Sequence, residues 1–109
     1  MQFSDVQISQ GSKDDGLYLD GMVTNRGKAP VSAAQVQVDF RDAQGKLIAS
    51  VQTPLAGMAH GTADLLPREF ARNPIVPNAM RVFRVEVQPV PAGWNHELPE
   101  MKAITAKTN

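Results

Sequence analysis

Two histidines, one tryptophan and a pair of adjacent aspartates are the residues from which this chain could build a reactive or ligand-holding site, and cysteine is absent. A hydrolase of the Ser-His-Asp kind needs a positioned imidazole, and only His60 and His96 exist. Neither sits in a nucleophile elbow, and each lies among Gly, Ala, Asn or Pro, so both read as solvated loop histidines. Met58 with His60 would pair a soft and a borderline ligand suited to copper, but two ligands do not make a site. Asp14-Asp15 places neighbouring carboxylates in a Gly-flanked loop without the spaced oxygen ligands of a calcium loop. Gly11, Gly16 and Gly21 are evenly spaced, with neither a Lys-Ser/Thr pair nor a following helix to make a phosphate loop. No set of acid, base and nucleophile can be assembled from these residues. The expectation is a chain with no catalytic residues, no metal and no cofactor.

Trp94 carries the most information, because it stands in a Pro/Gly-rich connection rather than in a strand. Such an indole either stacks on a sugar or peptide or caps an open end of the core, and the second reading is preferred. Pro91 and Pro99 restrict its loop, which fits either role, and Asn95 beside it is the other candidate binding residue. The largely uncharged run from Leu47 to Ala59 reads either as an edge strand that pairs with a partner or as a strand covered by the loop after it. Pro54 limits how far such pairing would extend.

The elements that must position these residues follow from composition and periodicity. The 109 residues suit one domain, 1–109, that buries roughly two thirds of its unfolded surface. Eleven basic and eleven acidic residues cancel with no basic cluster, which argues against a nucleic-acid partner. Without cysteine there is no disulfide framework, and no apolar run approaches the roughly 20 residues of a membrane span. Met1 to Gly11 lacks the basic-then-apolar order of a signal peptide, so either the chain is cytosolic or Met1 opens a piece of a longer one.

Apolar residues recur with period two, the mark of strands burying one face. Val6 and Ile8 start a short strand, and Leu17, Leu19 and Val23 alternate with Tyr18, Asp20 and Thr24 in a second. Gly21 takes an inward position there, as happens beside a bulge or where a neighbour needs the space. Asn25 to Lys28 supply turn chemistry, with Asn25 a structural residue. The clearest alternation sets Val36, Val38 and Phe40 inward against Gln35, Gln37, Asp39 and Arg41. Asp42-Ala43-Gln44-Gly45 then predicts a turn in which Asp42 bonds the backbone and Gly45 takes positive φ, so that Lys46 to Gln52 returns antiparallel. Pro77-Asn78 suits a type II turn ahead of the strand holding Phe83, Val85 and Val87, and a last strand lies near Met101 to Thr105. Between Thr53 and Val76 no period is clear. A strand at Thr62 to Leu66 is preferred there over a helical turn within Asp64 to Asn73. About seven strands predict an all-β, two-sheet antiparallel sandwich with Greek-key connections, and a small barrel is the alternative.

The stretch Leu19-Asp20-Gly21-Met22-Val23-Thr24-Asn25, followed by Val36 to Phe40 and Arg41-Asp42-Ala43-Gln44-Gly45, resembles the FxLYD-type domains of bacterial envelope proteins. Phe83-Arg84-Val85 onward to Val90-Pro91-Ala92-Gly93-Trp94-Asn95 and Leu98-Pro99-Glu100 is similar to a bacterial family of unknown function carried on membrane-anchored proteins. The resemblance implies an immunoglobulin-like sandwich in the periplasm or cell envelope, held to the membrane only through an anchor outside these residues, with no catalytic residues to carry over. The expected function is that of a non-enzymatic accessory or protein-interaction domain. The alternative is a module binding a small ligand or peptide through the Trp94 loop.

Overall fold

The structure, a computed structural model, describes residues 1–10, 15–58, 65–66 and 69–108. The elements run β1 (Gln2–Gln10), β2 (Leu17–Thr24), β3 (Val31–Arg41), β4 (Leu47–Pro54), β5 (Ala56–Met58), β6 (Leu65–Leu66), α1 (Glu69–Arg72), β7 (Met80–Val87) and β8 (Glu100–Thr108). One antiparallel sheet has the order β1-β2-β7-β5-β6 and the other β4-β3-β8. With the two-residue β6 set aside, four strands face three, and the described residues form a seven-stranded sandwich. Strands β2 and β7, and β3 and β8, are neighbours in space but not in sequence, so the chain crosses repeatedly between layers in Greek-key fashion. No described helix is long and apolar enough to cross a membrane.

The alternation in β3 decides the layering. Val36, Val38 and Phe40 are fully buried and pack in one cluster with Leu19 and Val23 from β2 and with Phe83, Val85 and Val87 from β7. On the opposite face of β3, Gln35 is exposed and Gln37 and Asp39 are partly so. The Ser50 hydroxyl donates to the Asp39 carboxylate at 2.6 Å. That bond above all, with the Gln37 amide and the charges of Lys102 and Arg41, outweighs desolvation and holds the Asp39 carboxyl below its ordinary range.

Gly21 answers to a backbone rather than to a side chain. The pairing of β1 with β2 slips between Ser4 and Gln7, and Asp5 takes a φ of 53° within the slip. A Cβ on Gly21 would lie 2.8 Å from the Ser4 carbonyl oxygen and 3.0 Å from the Val6 Cα. Backbone cannot rotate away as a side-chain tip can. Gly21→Ala is therefore expected to destabilise the domain by about 1–3 kcal/mol in urea unfolding, and an unchanged midpoint would show that β1 yields freely.

The outer face of the larger sheet buries a charge. Arg84 alternates with core residues yet is only 6% exposed, because its guanidinium lies 4.0 Å from the centre of the Tyr18 ring and donates twice to Asp20, at 2.5 and 2.9 Å. Ser9 donates to the same carboxylate at 3.2 Å. This bidentate, ring-covered geometry suits arginine and would not suit lysine.

Between Thr53 and Val76 the chain holds more structure than periodicity reveals. The expected strand at Thr62 to Leu66 is represented by Leu65–Leu66, its earlier residues lying outside the described ones. The less favoured helix also forms, over Glu69–Arg72, and the chain leaves it just ahead of Pro74. Phe70 and Ile75 from this stretch are core residues, at 2% and 0% exposure. The run from Leu47 divides between the sheets: β4 is an outer edge of the smaller sheet, and after Pro54 the chain crosses to β5 in the larger. Both the terminal strands are longer than their apolar alternation suggests, because pairing with β2 and β3 extends them.

Candidate functional site

The end of the sandwich at which β3 finishes is organised around Trp94. Asp42 shapes the turn after β3: its carboxylate accepts from the Gln44 and Lys46 amides, both at 2.9 Å, its carbonyl accepts from Gly45 N at 3.0 Å, and Gly45 has a φ of 80°. Asn95 clips the later loop onto this turn. Its backbone N–H donates to the Arg41 carbonyl at 3.0 Å, its amide donates to the Asp42 carbonyl at 3.2 Å, and its Oδ1 accepts from Glu97 N at 2.9 Å. Gly93 and His96 on either side take positive φ, 87° and 65°, which allows the loop to reverse around the indole.

So held, Trp94 is half-buried. Its ring meets the fully buried Phe40 edge to face, with centroids 5.5 Å apart at 88°, and its Nε1–H donates to the Glu97 carbonyl at 3.0 Å. The His96 ring lies 4.9 Å from it, tilted by 48°. The structural and functional readings of this residue therefore meet in one side chain. One part seals the end of the core, and the rest lines a groove of about 490 Å³.

The rest of that groove's lining comes from Ile8 near the end of β1, from Asp15 and Gly16 just ahead of β2, from Leu17 at its start, and from Val90. A bond from Val90 N to the Asp15 carbonyl, 2.7 Å, ties two of these segments together. Ile8 is not recognisable as a site residue from sequence, and Asp15 reads there only as one of two neighbouring loop carboxylates, with nothing to link either to Trp94, which lies 86 residues after Ile8 and 79 after Asp15. Only the pairing of β1, β2 and β7 brings them to one end.

Ser9, Asp15 and His96 all reach this groove, the residue types of a hydrolytic triad. They are not arranged as one. The Ser9 hydroxyl donates to Asp20 on the outer face of the sheet, and among the described residues no hydrogen bond joins Ser9, His96 and Asp15. His60 and Asp14, with the pairing of Met58 and His60 as copper ligands, fall outside the described residues or side chains. Among the described residues no three His, Cys, Asp or Glu gather as a metal site would require.

The remaining structural residues lie at the other end of the sandwich. The Asn25 amide donates to the Ala29 and Ile75 carbonyls, each at 2.8 Å, and its Oδ1 accepts from Gly27 N at 2.9 Å. Pro77-Asn78 forms a turn of the type II kind, with Asn78 at φ 67° and Ala79 N bonded to the Val76 carbonyl at 3.0 Å. Asn78 N and Ala79 O then bond the backbone of Asn25. No family model matches the chain, and neither does any curated protein or solved structure.

Proposed function

We propose that this domain is a non-enzymatic protein-interaction module of a bacterial cell-envelope protein, and that it seats part of a partner polypeptide in the groove beside Trp94. The observation that carries the reading is the state of Trp94 itself: clamped through Phe40 and the Asn95 loop, yet open on its remaining surface to a groove lined by both apolar and polar side chains. A large, rigid, half-exposed aromatic ring is the side chain that contributes most at protein contacts for the least lost conformational freedom. The envelope location rests on the resemblance to FxLYD-type domains. The immunoglobulin-like reading is supported by the strand order, in which β1-β2-β7-β5 corresponds to the ABED sheet and β4-β3-β8 to C′, C and F.

Selection of peptides from a random displayed library on the immobilised domain tests the reading. Enriched peptides are expected to lose about tenfold or more in affinity for Trp94→Ala, and also for Ile8→Asn in the groove lining, where the side chain is 38% exposed and folding is little affected. Peptides that bind both variants as well as the parent would show that the partner does not sit in the groove.

A further inference from the structure

We propose that the Trp94 groove selects a cationic side chain, a lysine or arginine of the partner polypeptide. This rests on the reading of the groove as the contact site and adds what the site recognises. The groove offers a negative charge and an aromatic ring together. Asp15 is exposed at its rim, and among the described residues its carboxylate accepts no hydrogen bond and joins no ion pair, its backbone carbonyl alone being engaged, by Val90 N. Among the described residues no lysine or arginine lines the groove. Trp94, the aromatic side chain that attracts cations most strongly, presents its open surface to the same space. Ile8 and Val90 supply apolar surface against which an aliphatic stem can lie while its charged head meets the acid.

The protein already uses this combination internally. Arg84 lies over the Tyr18 ring while its guanidinium is held by the Asp20 carboxylate, and Arg81 stands 5.2 Å from the centre of the Phe70 ring. Trp94 and Asp15 bring a ring and an acid to one groove, and no basic residue of the described chain lines it with them. An anionic side chain would meet Asp15 as a like charge. A neutral one would gain the apolar surface but neither the cation–π attraction nor the charge pairing.

The experiment uses the intact protein and four capped pentapeptides identical except at the centre, which carries lysine, arginine, norleucine or glutamate. Binding is followed through the emission of the single tryptophan. The lysine and arginine peptides are expected to bind about tenfold tighter than the norleucine peptide, with the difference shrinking as salt is raised. Asp15→Asn is expected to remove most of that preference, bringing the affinities of the lysine, arginine and norleucine peptides together, with the melting temperature unchanged. Equal binding of lysine and norleucine peptides overturns the cation selectivity while leaving the groove as a contact site. If none of the four perturbs the emission at millimolar concentration, the contact site fails, and the selectivity with it.

Discussion

Replacing Phe40 by alanine is expected to cost about 3–5 kcal/mol of folding free energy, the range for removing a fully buried phenylalanine ring. Phe40 is 0% exposed and stands at the end of β3 where the two layers close. Its loss empties the space between the sheets and also removes the ring on which Trp94 rests edge-on. Against the total of roughly 5–15 kcal/mol typical of single domains, that is enough to leave a marginal domain largely unfolded. Urea unfolding measures the cost, and intrinsic fluorescence reports the second effect, because Trp94 emission should shift to the red in whatever fraction remains folded. A variant with the parental midpoint and emission would mean that β3 presents its other face to the core.

The second large effect is expected at Asn25, which is 2% exposed and has all three of its amide hydrogen bonds made within the protein. Asn25→Ala strands the Ala29 carbonyl and the Gly27 amide, while the Ile75 carbonyl keeps its bond from Val31 N and loses only its second donor. At about 1–3 kcal/mol for each buried group left unpaired, with water reaching the Ala29 and Gly27 side, the loss should be about 2 kcal/mol. Asn25→Asp should be worse near neutral pH, since it points a carboxylate at two carbonyl oxygens. Burial and those dipoles would hold that carboxyl above its ordinary range in the folded state. The folded variant then binds a proton more tightly than the unfolded chain. It should therefore regain stability as the pH falls toward about 4 and lose it as the pH rises through the folded value. Denaturation midpoints for this variant that are flat with pH would show that the carboxylate has turned out to solvent.

Local rules made much of the fold legible. The period of two in Val36, Val38 and Phe40 identifies the inner face of β3, and the chemistry of Asp42 and Gly45 identifies the turn that returns β4, because both act within a few residues. Pro77 and Asn78 did the same for the entry to β7. Phe70 and Ile75 could not be found this way. Each is a single anchor in a stretch too short to repeat, and only the space between the sheets reveals that it is filled. Gly21 stood out as an inward glycine, but what it accommodates is the bulged backbone of β1, which depends on a register slip with no signal in residue type.

The site was legible only on one side. Trp94 is conspicuous because it is alone in a Pro/Gly-rich loop, and Asn95 because it is next to it. The clamp that Asn95 makes on Arg41 and Asp42 spans the sandwich end, and the groove residues Ile8, Asp15 and Leu17 come from the first hairpin. Sequence separation hides such a pairing, since neither segment has a distinctive motif of its own. His96, which reads as a solvated loop histidine, lies against the indole at the groove.

The proposed contact surface is the open face of Trp94 together with the groove beside it. Amide and indole resonances recorded while a library-selected peptide is added test it most directly, because they report on both ends and both faces of the sandwich at once. The Trp94 indole N–H and the amides of Ile8, Asp15, Leu17 and Val90 are expected to move together, with the β4 edge and the Asn25 end unchanged. Shifts confined to the β4 edge or to β8, with the Trp94 indole unmoved, would contradict this and place recognition on a sheet edge instead.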